Sequence, residues 1–177
     1  MRQPLLLLDI DGVISLFGFD VRRPPDGRYV LVDGTVHFLS TAVAALLDGL
    51  RDGFELVWCS GWEERADEHL PAALGLPRGL RHLTFAPTAE TPASSIRHWK
   101  LASIDAFVGE QRPLAWVDDD HDASCARWAA ARPGPTRLVT TNPAIGLTPG
   151  DAAGLRAWAS ALSPSAPNQT GADRDPS

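Results

Sequence analysis

The sequence predicts an α/β protein with a central parallel sheet covered by helices on both faces, and two observations carry that prediction. Five strand-like runs recur along the 177 residues, at 5–10, 54–60, 82–85, 113–119 and 136–139, and helix-like stretches separate them. Strand alternating with helix is the pattern of βαβ units. The first run opens with four successive leucines, apolar at every position rather than at alternate ones, as befits a strand buried on both faces.

That first strand ends in two carboxylates, Asp9 and Asp11, separated by one residue. Residues two apart in an extended chain point the same way, so the two acids leave the strand end together and repel each other. A positive group is therefore expected beside them. Gly12 follows, able to turn where a side chain would block a ligand. Residues 14–39 break the rhythm: two β-rich runs flank Asp33-Gly34, a strong hairpin signal, and predict a small flap or cap inserted after the first strand. Ser40 or Thr41 then caps a helix over 41–53, stopped by Gly53. The next strand delivers Cys59-Ser60-Gly61, a hydroxyl and small backbone amides ahead of a helix start, which together suit an anion. That helix, 62–75, carries acids in its first turn, and Pro71 is expected to kink or divide it. A further helix over 94–109 carries Lys100. The strand at 113–119 ends in Asp118, Asp119 and Asp120, with Asp122 two residues on, and helices over 121–133 and 150–162 complete the pattern. Residues 1–162 read as one domain. The tail from 163 is polar and rich in Pro, Ser and Gly, and is expected to be disordered.

Composition narrows the function classes. The apolar fraction of 44% is ordinary for a globular chain, and no apolar run approaches the ~20 residues of a membrane span. The leucine run is too short for a signal-peptide core, so the cytoplasm is the expected compartment. Cys59 and Cys125 lack metal-ligand spacing and read as reduced core thiols. A net charge of −6 argues against a stable nucleic-acid complex but not against a nucleotide substrate. The 16 basic residues comprise 15 arginines and one lysine, Lys100. A compact ammonium suits a phosphate held against carboxylates, although a lone survivor of a bias towards arginine would look the same.

In open parallel sheets, ligands bind beyond the carboxyl ends of the strands. There this sequence gathers acids from two strands, one hydroxyl and one ammonium, the makings of a Mg²⁺ and phosphate site. The order DIDG, then Ser60 after an apolar strand, then Lys100, then a strand ending in VDDDHD resembles the four motifs of the haloacid dehalogenase (HAD) superfamily of phosphohydrolases, over residues 4–140. The stretches VWCSGWEERADEHL and PLAWVDDDHD are also similar to a bacterial HAD subgroup related to the HAD domains of RNA-repair proteins.

The resemblance implies a three-layer, Rossmann-like HAD fold with a set of roles. Asp9 would be the nucleophile that forms an aspartyl-phosphate, and Asp11 the general acid and base. Ser60, the Gly61 amide and Lys100 would hold the phosphoryl oxygens. Mg²⁺ would be bound by Asp9, the backbone carbonyl of Asp11 and Asp118. The last motif leaves Asp119 and Asp122 open as the acid that assists Asp118, and an acid in a first helical turn also has a capping explanation. The implied function is a Mg²⁺-dependent phosphomonoester hydrolase. Its cap is only the 14–39 flap, so the open site admits a phosphorylated small molecule, a phosphoprotein or a nucleic-acid end. Two alternatives fit less well. A receiver-type phospho-acceptor domain would place its lysine after the second acidic cluster, and a non-catalytic phosphate-binding HAD-like module would have no use for Asp11.

Other residues have plainer readings. Trp62 and Glu63 either line the pocket or serve as a half-buried ring and a helix-start acid. Trp58, Trp99, Trp116, Trp128 and Trp158 read as core packing, His98 and His121 as surface or packing residues, and Asp120 as a solvated loop acid.

Overall fold

The computed structural model describes residues 2–85 and 98–162. In chain order the elements are β1 (Leu5–Leu8), β2 (Ser15–Leu16), β3 (Gly27–Val32), β4 (Thr35–Ser40), α1 (Thr41–Asp48), β5 (Glu55–Trp58), α2 (Arg65–Leu74), β6 (Arg81–His82), α3 (Leu101–Val108), β7 (Leu114–Asp118), α4 (Ala123–Ala131), β8 (Thr136–Thr140) and α5 (Pro149–Leu162). Five strands pair in parallel in the order β6-β5-β1-β7-β8, which makes the leucine strand central. Its four leucines are fully buried. Leu6 and Leu8 join a core that includes Leu47 of α1, Leu70 of α2 and Leu155 of α5, whereas Leu5 and Leu7 join a second core with Ile104 of α3 and Trp128 of α4. Side chains alternate across a strand, so one unbroken run supplies both cores of a three-layer α/β fold. Each buried leucine contributes roughly 1.5–3 kcal/mol.

The expected flap is present. β3 and β4 pair from Gly27 with Ser40 to Val32 with Thr35, and β2 adds a third antiparallel strand. Asp33 and Gly34 both take positive φ, 48° and 81°, the combination that a tight type I′ turn requires. Ser40 closes β4 and caps α1, its hydroxyl accepting from the Val43 N–H.

Several boundaries are shorter than the sequence suggests, for local reasons. α1 ends at Asp48 rather than near Gly53, because Leu50, Arg51 and Gly53 each donate to a carbonyl three residues back and tighten the chain out of the α-helix. Pro71 sits inside α2 without dividing it, and the Gly75 N–H closes the helix on the Pro71 carbonyl. β6 stops at His82, and the Phe85 N–H bonds the Glu63 carboxylate at 2.7 Å instead of a neighbouring strand. The helix expected over 94–109 is observed from Leu101, after a turn that ends on Lys100. Its residues 94–97, like the tail from 163, lie outside the described residues. Cys59 and Cys125 are buried free thiols. Among the described residues no helix is long and apolar enough to cross a membrane.

A Cβ at Gly34 would meet open space, so only the positive φ opposes a side chain there. Gly34→Ala should cost about 1 kcal/mol, read as a lower urea midpoint at unchanged slope.

Candidate active site

Strand register assembles the site. Leu8 is aligned with Val117 on β7 and with Trp58 on β5. One residue further on, Asp9 comes beside Asp118, with Cys59 and the buried Ser60 on its other flank. Pairing runs past the strand ends: the Asp9 N–H donates to the Val117 carbonyl at 3.0 Å and the Cys59 N–H to the Leu8 carbonyl at 2.7 Å.

Lys100 closes the cluster. Its ammonium lies 2.7 Å from Asp9 Oδ2 and 2.7 Å from Asp118 Oδ2, and the residue is only 3% exposed. This positive group stands beside Asp9 as the early acids demand, but its second partner is Asp118 and not Asp11. Burial works against the ammonium, but the carboxylates of Asp9 and Asp118 outweigh it and hold Lys100 well above its ordinary range. For Asp9, burial is the largest influence and pushes the carboxyl up to about 6, against the pull of Lys100 and with Asp118 adding to the rise. Its Oδ1 accepts from the Ile10 N–H at 2.8 Å. Asp118, fully buried, also accepts from Trp116 Nε1 and from the Asp120 N–H, both at 3.0 Å.

Asp119 completes an acidic trio. Asp9, Asp118 and Asp119 each offer an oxygen, and the three lie within 4.8 Å of one another. Burial and the adjacent Asp118 hold the Asp119 carboxyl above its usual value. Among the described residues, three carboxylates against the one ammonium leave two negative charges in excess when all are ionised. Hard oxygen donors with that excess fit a divalent cation. Gly12 makes the arrangement possible: its φ is 71°, and a Cβ there would sit 2.3 Å from the Asp119 carboxyl carbon. Thr141 ties the same parts together, donating from Oγ1 to the Gly12 carbonyl at 2.8 Å and from its N–H to the Asp118 carbonyl at 3.1 Å.

Two expectations need correction. Asp122 is not among the acids brought together; it caps α4, accepting from the Ser124 hydroxyl and from the Ser124 and Cys125 N–H groups. Those bonds, the hydroxyl first, draw its pKa down to about 2. Nor does a helix start directly behind Ser60 and Gly61. Glu63 takes a positive φ of 48°, α2 begins at Arg65, and residues 61–64 form a turn that the Arg65 guanidinium braces through the Gly61 and Trp62 carbonyls.

Asp11 stands apart from the trio, its side chain 49% exposed. Trp62 Nε1 donates to its Oδ2 at 3.0 Å, and His37 Nδ1, from the flap strand β4, lies 3.6 Å from its Oδ1. The His37 and Trp62 rings meet edge-on at 4.6 Å, and the Ser15 hydroxyl is 3.0 Å from His37 Nδ1. Trp62 is thus a buried ring whose N–H holds Asp11, while Glu63 serves the backbone of Phe85. His98 and His121 pack edge-on against Trp116, and burial lowers both, His121 to about 4. His37 and Thr141 carry no motif. Thr141 had a signal in its place just past a parallel strand; His37 had none.

A family model described as the HAD domain in Swiss Army Knife RNA repair proteins matches residues 5–152. Among curated proteins none matches the chain.

The folded Asp9 holds its proton up to about pH 6, above its ordinary 3.8, so its ionisation costs stability as pH rises between those values. Lys100→Met removes the ammonium and raises Asp9 further. The variant should lose about 3 kcal/mol at pH 8 and distinctly less at pH 5, where Asp9 is protonated. Urea unfolding at the two pH values checks this.

Proposed function

The chain belongs to the family of HAD domains in Swiss Army Knife RNA repair proteins, and from that premise we propose that it is a Mg²⁺-dependent phosphomonoester hydrolase working through an aspartyl-phosphate on Asp9. The observation that carries this reading is the Lys100 ammonium held between Asp9 and Asp118 at the carboxyl edge of the sheet.

In the first half-reaction a carboxylate oxygen of Asp9 bonds phosphorus while the ester P–O bond breaks, and the Asp11 carboxyl gives its proton to the departing oxygen. In the second, Asp11 takes a proton from water, the water oxygen bonds phosphorus, and the bond to Asp9 breaks to release phosphate. An ammonium has three N–H groups, and Asp9 and Asp118 engage two, which leaves one for a phosphoryl oxygen beside the Ser60 hydroxyl and the Gly61 amide. Asp9, Asp118, Asp119 and the Asp11 carbonyl would hold Mg²⁺, which would supply charge neutralisation in the pocket. Trp62 and His37 aim the Asp11 carboxyl. The flap tip reaches α2 through Asp33 and Arg65 at 3.4 Å, an exposed pair of small energetic weight. The substrate is a phosphorylated small molecule or a nucleic-acid end, bound without a lasting nucleic-acid complex, and the buried free thiols suit the cytoplasm.

Asp9→Asn should abolish Mg²⁺-dependent phosphate release from a panel of sugar phosphates, nucleotides and 3′- or 5′-phosphorylated oligonucleotides; equal release by both proteins contradicts the nucleophile assignment. Trp62→Phe should lower kcat/KM about tenfold for alkyl phosphates, whose leaving oxygen needs a proton, and far less for p-nitrophenyl phosphate. Equal losses on the two esters would dissociate Trp62 from proton transfer.

A further inference from the structure

Trp99 does not pack into the core as its sequence context suggests. Trp58 and Trp116 are fully buried, yet Trp99 keeps 47% of its surface exposed while standing next to Lys100. Its position is fixed from the protein side. The Phe85 ring meets it at 4.7 Å, tilted by 60°, and the His98 ring lies 6.1 Å away at an interplanar angle of 24°. Phe85 is itself held by the Glu63 carboxylate, which ties this aromatic support to the turn after Ser60. The ring edge reaches that turn: a Cβ on Gly61 would lie 4.0 Å from Trp99 Cη2. The Lys100 ammonium lies 5.2 Å from the ring centroid. A braced, half-exposed indole therefore flanks both groups that would hold the phosphate, within reach of whatever the phosphate is attached to.

We propose that Trp99 is a stacking ledge for a planar ring on the leaving group, so that the site selects phosphates borne by a nucleoside, free or at the end of a strand. This rests on the phosphatase reading and names its substrate class. Every nucleobase has a π-face, so such a ledge confers preference for bases over sugars without reading sequence. It also suits a chain with a net charge of −6, which has little to offer a long phosphate backbone.

The test compares wild type, Trp99→Ala and Trp99→Phe on adenosine 5′-monophosphate, a trinucleotide with a terminal phosphate, and glycerol phosphate. Trp99→Ala should lower kcat/KM about tenfold on base-bearing esters and leave glycerol phosphate within about twofold, with Trp99→Phe restoring most of the loss. A loss on the mononucleotide assigns the ledge to free nucleotides, and a loss confined to the trinucleotide assigns it to strand ends. Equal loss on all three esters, or on none, overturns the proposal. If the wild type hydrolyses no ester, the phosphatase reading fails separately. Calorimetric binding of the mononucleotide and of glycerol phosphate to Asp9→Asn, with and without Trp99→Ala, then decides the ledge: a weaker binding confined to the nucleotide supports it, and unchanged or equally weakened binding sinks it.

Discussion

One ammonium held between two buried carboxylates constrains everything around it. Removing ions from water is costly, and a buried pair repays that cost only with close geometry and further hydrogen bonds. Here both distances are 2.7 Å, and the remaining carboxylate oxygens are occupied by the Ile10 and Asp120 N–H groups. The lysine cannot leave without stranding two buried acids, and the acids cannot move without stranding the lysine. Asp119 adds a third carboxylate to the cluster. Among the described residues Lys100 is the one ammonium set against the three, and on the proposed reading a divalent cation makes the pocket hospitable to an anionic phosphate.

The fold holds these groups in place with backbone rather than with long side chains. Asp9 and Asp118 are set by register on neighbouring central strands. Thr141 joins the turn after β1 to the end of β7, and Gly12 vacates the space that Asp119 fills. The flap adds a different contribution. It brings His37 beside Asp11, so the acid proposed for proton transfer is oriented from outside the sheet while the proposed nucleophile is fixed within it. The two aspartates of DIDG thus live in contrasting environments, one buried against an ammonium, the other half-exposed under an indole N–H.

Much of this was legible in the chain. The leucine run announced a central strand, DG announced the flap turn, and the single lysine with its neighbouring acids announced the charged centre, because each signal is local and chemically specific. The losses are equally instructive. The motif left Asp122 open as a ligand behind Asp119, with capping as its plainer reading, and the start of α4 decides for the cap: the helix turns Asp122 back onto its own amides. His37 lies in the flap with nothing in its spacing to link it to Asp11, a contact that pairing of β4 with β2 and β3 creates. Trp99 resembled the other core tryptophans, since amphipathic context says which residues are apolar and not which the fold leaves uncovered.

The most direct test of the central claim is a calorimetric titration of Mg²⁺ at pH 7.5 into wild type, Asp118→Asn and Asp122→Asn. The account predicts one ion per chain in the wild type, loss of binding in Asp118→Asn and unaltered binding in Asp122→Asn, whose amide still caps α4. Absence of Mg²⁺ binding in the wild type, or its persistence without the Asp118 carboxylate, would contradict it.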